Sequence, residues 1–233
     1  MKFITIIFAR MDSKRLPGKV LLNLAGRPVL DYVLDKAKKI NISEIIIATS
    51  IRKLDDPIAD FAKNRSIVCF RGEFENVLDR AIQCAKYFSA ECILRICGDS
   101  PFISFDLANY ALDIMKKKNP NIVTTNCPRS WPIGSSIEFA TVETLEEIQS
   151  KSRDNIEREH IFKFAYLNPQ YFKIENIFNK NVNQQNIRLA IDTKEDLIRA
   201  DWIIKNMPNA IDNYKLEDAI DKYFKYEILK RNC

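Results

Sequence analysis

Apolar and polar positions along this chain alternate in blocks, short β-branched runs followed by longer amphipathic ones. Residues 3–8 form an isoleucine-rich run, which predicts a strand buried on both faces. Pro28 opens a helical pattern that places Val29, Val33, Leu34 and Ala37 on one face. A second strand is expected at 44–49, and Asp55 and Asp56 before Pro57 mark a helix start with Ile58, Phe61 and Ala62 facing inward. Residues 67–70 predict a third strand, Val77, Leu78, Ala81, Ile82 and Ala85 an amphipathic helix, and 92–97 a fourth strand ending at Gly98. This rhythm predicts an α/β fold: a mainly parallel sheet in three α/β/α layers, joined by right-handed crossovers. Ligands bind such sheets beyond the carboxyl ends of the strands, so the loops after the first, second and fourth strands should share one face. After a strand at 122–125 the pattern loosens into a loop at 126–135, a short strand near Ile137 and a charged helix at 155–166. A small side lobe over about 126–180 is expected there, before the chain returns through 187–191 and ends in two helices. With no repeat, low-complexity tract or Gly/Ser linker, residues 1–233 read as one domain.

Composition narrows the classes. The chain is 46% hydrophobic and 29% charged, as suits a globular domain with a large buried sheet. The net charge of +5 is spread over scattered lysines, with no long block of one sign, so a nucleic-acid surface is not expected. The apolar run at 3–8 is too short for an export signal, and no stretch is apolar and long enough to span a membrane. Six cysteines, at positions 69, 84, 92, 97, 127 and 233, form no Cys-x-x-Cys pair and have one histidine for company. That argues against zinc and for a reducing cytoplasm.

The chemistry concentrates in the loop after the first strand. Residues 9–19 carry Arg10, Lys14, Arg15 and Lys19 together with Ser13 and exposed backbone amides, a set that suits a polyphosphate and by composition alone equally a solvated basic turn. Arginines grip phosphate oxygens bidentately, and Lys19 supplies a point charge for a leaving pyrophosphate. The Walker A order is absent. Asp99, in the Gly-Asp-Ser-Pro turn 98–101, can hold Mg²⁺ against nucleotide phosphates, although those residue types also make plain turns. Asp192 precedes Thr193 at a helix start, where either can serve as the cap, with Asp196 three residues past Thr193. Thr49, with Ala48 and Ser50, suits a base or ribose contact, while Asp79 and Arg80 can equally form a surface pair.

The run Ala9-Arg-Met-Asp-Ser-Lys-Arg-Leu-Pro-Gly-Lys19, followed by Leu24-Ala-Gly-Arg-Pro28, closely resembles the SpsF-like (spore coat polysaccharide) cytidylyltransferases, relatives of the CMP-sialate and CMP-KDO synthetases. The resemblance continues in order through Asp55-Asp-Pro57, Phe70-Arg-Gly72, Val77-Leu-Asp-Arg80, Arg95-Ile-Cys-Gly-Asp-Ser-Pro101, Glu157-Arg-Glu-His160 and Ile191-Asp-Thr-Lys-Glu-Asp196. It implies the nucleotide-diphospho-sugar transferase (GT-A-like) fold and transfer of CMP from CTP with release of pyrophosphate. It implies Mg²⁺ held by Asp99 and Asp192, with Ala9, Arg10, Ser13, Lys14, Arg15, Lys19, Thr49, Arg71, Asp79 and Arg80 around the nucleotide. Arg129, Trp131, Gly134, Glu138, Glu157, Glu159 and His160 would face the acceptor, a sugar acid or small phosphorylated molecule of surface polysaccharide or glycoconjugate synthesis. A homodimer formed through the side lobe is also implied.

Two departures stand out: Lys194 where many relatives have proline, and Pro132-Ile-Gly-Ser-Ser136 where the family often has Pro-Asp-Gly-Leu-Asp. The second removes two acidic positions from the acceptor side. The rival classes are a nucleotide-sugar-dependent glycosyltransferase, which usually carries an Asp-x-Asp turn absent here, and a non-catalytic nucleotide-binding relative.

Overall fold

The isoleucine-rich runs form the centre of a seven-stranded sheet in a computed structural model that describes residues 1–181, 184–207 and 214–232. Strand β1 (Phe3–Phe8) leads through a loop and the two-residue strands β2 (Asn23–Leu24) and β3 (Arg27–Pro28) to helix α1 (Val29–Ala37). Then follow β4 (Ile45–Ser50), α2 (Asp56–Asn64), β5 (Val68–Gly72), α3 (Val77–Tyr87) and β6 (Cys92–Cys97). The strand order begins β5-β4-β1-β6, every neighbour parallel. Side-chain alternation divides the core as a buried strand requires. Ile7, Ile47, Leu94 and Ile96 pack with α1 and α2 on one face, while Ile4, Ile6, Ile46 and Ile93 pack with α3 on the other. The chain steps outward from β1 to β4 to β5 on the first face, then returns across the second to place β6 on the far side of β1. The topological switch therefore lies between β1 and β6, where parallel sheets open a crevice for ligands.

The second half completes the sheet with changed direction. After α4 (Phe105–Lys118) come β7 (Ile122–Thr124), β8 (Glu138–Thr141), α5 (Val142–Lys151), α6 (Asn155–Glu159), α7 (Lys163–Leu167) and β9 (Ile174–Asn176). β8 inserts antiparallel between β6 and β7, and β9 runs parallel to β7 at the edge. The stretch 126–180, expected beside the sheet, thus gives β8 and β9 to the sheet itself. The single helix expected at 155–166 is two short ones, because Ile161 and Phe162 turn inward, each only 3% exposed, and join the α3 and α5 core. The segment 187–191, α8 (Lys194–Lys205) and α9 (Leu216–Arg231) close a third core over Leu24, Val29 and Tyr32. Among the described residues no helix is long and apolar enough to cross a membrane, and the five described cysteines are free. Cys233 lies outside the described residues.

Candidate active site

Three chain segments meet at the switch point. The loop after β1 is closed on itself by the Gly18 amide donating to the Met11 carbonyl at 2.7 Å. It is anchored from outside by Asp55, whose fully buried carboxylate accepts from the Met11 amide at 2.7 Å and from the Ser50 hydroxyl. Asp55 sits at the N-terminus of α2 but caps it with no side-chain hydrogen bond; the carboxylate is committed to the loop instead. The second segment follows β6. Gly98 donates to the Phe8 carbonyl at 2.8 Å, and a side chain there would meet that same oxygen at 3.0 Å, so β1 and β6 end in close contact. The third segment, 187–191, is tied in twice. The Ile191 amide donates to the Asp99 carbonyl at 2.9 Å, and Ile133 bonds to both Ile187 and Leu189. Gly134 allows this approach: its φ is +97°, and a Cβ would fall 2.3 Å from the Ala190 nitrogen.

The result is an ionic centre. The Lys19 ammonium, buried at 8% exposure, contacts Asp99 and lies 2.8 Å from Asp192. Arg15 and Arg188 reach the other Asp192 oxygen at 3.0 and 2.9 Å. Burial alone would lower the Lys19 pKa, but the charge of Asp99 and the hydrogen bonds to Asp192 and Asp99 overcome it and raise the value. Burial opposes ionisation of Asp192 as well; the Lys19 hydrogen bond and charge, with Arg15 and Arg188, win and lower its pKa. Thr193 and Asp196 form a complete capping box at the start of α8, which leaves Asp192 free to face the centre.

Two clefts open from this point. The first, about 430 Å³, is lined by Ala9, Arg10, Ser13, Lys14, Arg15, Lys19, Arg80 and Glu159. The second, about 560 Å³, is lined by Asn126, Arg129, Gly134, Glu138, Lys163 and Tyr166. Arg95, Cys97, Asp99, His160 and Asp192 line both. Arg10 pairs with Glu159 at 3.1 Å, joining the loop to α6 across the first cleft. Burial pushes the Cys97 thiol up to about 11, so it remains protonated near neutral pH and offers no thiolate nucleophile.

Several expected residues stand elsewhere. Arg71 is taken up by the Ser50 and Arg52 carbonyls, at 2.9 and 2.8 Å, and by Asp56. Asp79 accepts from Gln83 and Gln149, and Thr49 is fully buried with its hydroxyl unpartnered. Trp131 donates its indole N–H to the Ile177 carbonyl at 2.8 Å, and Glu157 accepts from the Arg153 amide. None of these five lines either cleft. Arg80 does line the first, but its guanidinium is turned to the Glu73 and Phe74 carbonyls, at 2.8 and 2.9 Å, where it fixes the turn before α3. Conversely, Arg95, Asn126, Lys163, Tyr166 and Arg188 stand at the clefts or the ionic centre without having been singled out from the sequence. The signal for Arg95 is there to see: it is the one charge within the strand Cys-Ile-Leu-Arg-Ile-Cys.

An uncharacterized protein of Methanocaldococcus jannaschii is 36% identical over 84% of this chain and 80% of its own length. The spore coat polysaccharide biosynthesis protein SpsF of Bacillus subtilis is 27% identical over 82% of this chain and 81% of its own. A 3-deoxy-manno-octulosonate cytidylyltransferase of Fusobacterium nucleatum is 28% identical over 56% of this chain and 60% of its own. Among solved structures, a cytidylyltransferase from Leptospira borgpetersenii superposes with a TM-score of 0.91 at 28% identity, covering 97% of this chain and 95% of that one. A CMP:2-keto-3-deoxy-manno-octonic acid synthetase complexed with CTP shares the fold, with a TM-score of 0.66 at 16% identity over 86% of this chain and 97% of that one. The cytidylyltransferase family model matches residues 4–227, and the chain belongs to that family.

Proposed function

We propose that this cytidylyltransferase moves CMP from CTP to an oxygen of a sugar acid or a small phosphorylated acceptor, in surface polysaccharide or glycoconjugate synthesis. One observation carries the reading: loop cations and two carboxylates from three separate segments converge where two clefts meet. The first cleft suits the nucleotide, since Arg15, Lys19 and Lys14 line it with cationic groups for a triphosphate. The second suits the acceptor. The names of the SpsF and octulosonate relatives support a sugar-like acceptor.

In this reaction the acceptor oxygen bonds to the α-phosphorus while the bond to the β-phosphate oxygen breaks, and pyrophosphate carries the electron pair away. Arg10, Arg15 and Lys19 neutralise the charge growing on the leaving group, and the walls of the two clefts hold the partners in line. Asp99 and Asp192 would hold Mg²⁺: two carboxylates plus phosphate oxygens are the donor set that this ion prefers, and here both already face one cationic group, the Lys19 ammonium. When bound, the ion supplies Lewis-acid polarisation of phosphoryl oxygens.

The test is CTP-dependent pyrophosphate release, screened over sugar acids and small phosphorylated compounds. Turnover with CTP well above ATP or GTP is expected, and Asp99→Ala should lower it by about a hundredfold or more while the melting curve stays cooperative. Near-normal activity of Asp99→Ala would remove Asp99 from the site.

A further inference from the structure

Arg95 is a charged side chain in the middle of a strand otherwise built of Cys, Ile and Leu. It stands opposite Glu138 across the antiparallel β6–β8 pairing and donates from Nη1 to Glu138 Oε2 at 2.6 Å. Glu138, its side chain only 4% exposed, is saturated on its other oxygen by the Tyr166 hydroxyl at 2.7 Å and the Asn126 amide at 3.0 Å. Arg95 is not saturated. Its Nε is buried without any partner, and its Nη2 has no protein acceptor among the described residues. One whole edge of the guanidinium is therefore held in place but unused. A buried donor left unpaired is costly, so such a group calls for an acceptor from outside the fold.

The surroundings say which ligand would bring it. Arg95 lines both clefts, but Glu138, which holds it, and Asn126 and Tyr166, which hold Glu138, line the second alone. Two further cations of that cleft, Arg129 and Lys163, have no carboxylate within ion-pair distance among the described residues. The polyphosphate side already has its own cations in the loop after β1. We infer that Arg95, clamped by Glu138, is an acceptor-binding residue whose free edge takes a carboxylate or phosphate oxygen of the molecule that receives CMP. This rests on the transferase reading above and adds to it a specific oxyanion receptor in the lining of the second cleft. The planar, two-donor edge matches an oxyanion in a way that a lysine cannot.

The experiment uses the full chain saturated with CTP in EDTA, so that the loop cations are occupied and turnover is suppressed. Pyruvate and inorganic phosphate are then titrated as the carboxylate and phosphate probes, with the Arg95 Nε–H resonance followed by NMR and assigned from Arg95→Lys. Saturable movement of that resonance with one probe is expected, and the stronger probe identifies the acceptor's anionic group. The double variant Arg95→Met/Glu138→Gln leaves no unpaired buried charge. It should melt cooperatively, bind the probe at least about tenfold more weakly and keep its CTP affinity within about twofold. If CTP affinity falls as far as probe affinity, the oxyanion belongs to the nucleotide and the assignment is overturned. It is equally overturned if neither probe moves the resonance, for then Arg95 and Glu138 are only a structural pair. Failure of the transferase reading is distinguishable, because it would appear as absent pyrophosphate release in the parent with every acceptor, whatever the probes do.

Discussion

Two neighbouring cations of one loop, Arg15 and Lys19, differ in what their removal should reveal. Arg15 is exposed and reaches Asp192 from outside, so Arg15→Ala should change folding stability by less than about 0.5 kcal/mol. Its loss should still weaken CTP binding by roughly tenfold, the worth of one charge-assisted phosphate contact, and weaken CMP binding much less. Calorimetry with both nucleotides, beside a melting curve, checks this; equal losses for CTP and CMP would place Arg15 away from the β and γ phosphates. Lys19 is buried between two carboxylates, and Lys19→Ala should lower the melting temperature as well as CTP affinity. That distinction was not legible in the sequence, where both read as loop cations. Asp192 was expected at the site from the resemblance alone, since by its position it could equally cap α8; the structure gives that task to Thr193 and Asp196. Arg71 shows the opposite limit. Its side chain is claimed by two main-chain carbonyls that only the packing of β4 on β5 brings near.

At the scale of elements, the parallel half of the sheet was readable, while in the other half the strands at 122–125 and near Ile137 were readable but their places in the sheet were not. The strand Cys92–Cys97 follows from an apolar run closed by glycine. The position of β8 does not, because a four-residue strand carries no mark of its direction or its neighbour. The helices α4 and α5 were not expected, although Leu107, Ala108, Ala111, Leu112 and Met115 repeat at helical spacing in α4. The two halves join at the β6–β8 pairing, and the returning segment 187–191 is locked to the loop before β8 where it crosses Gly134. Gly134→Ala would press a methyl into the Ala190 backbone at a φ that L residues rarely adopt. A loss of at least about 2 kcal/mol is expected, a fall of roughly 4–8 °C in melting temperature for a chain of this size. Because the same segment carries Asp192, CTP affinity should fall with it; an unchanged melting temperature would mean that this crossing opens freely in solution.

Taken whole, the molecule keeps its chemistry at a point that no single stretch of chain owns. Lys19 meets Asp99 from 80 residues away and Asp192 from 173. A consequence is an order of arrival. In this structure the protein supplies its own counter-ion to these carboxylates, so under the proposed function a divalent cation coming alone would have to compete with a tethered ammonium that cannot diffuse off. The phosphates of CTP would offer that ammonium another partner, and the place it leaves would then be open to the metal. Solitary loading would be discouraged and joint loading favoured, a form of mutual admission built from one side chain. Electron paramagnetic resonance of Mn²⁺ reads it directly. The nucleotide-free parent should hold Mn²⁺ weakly, and Lys19→Met should hold it about tenfold or more tightly, a difference of the size of one lost ion-pair contact. Added CTP should tighten Mn²⁺ binding in the parent. Equal affinity of the nucleotide-free parent and Lys19→Met would show that the lysine guards nothing.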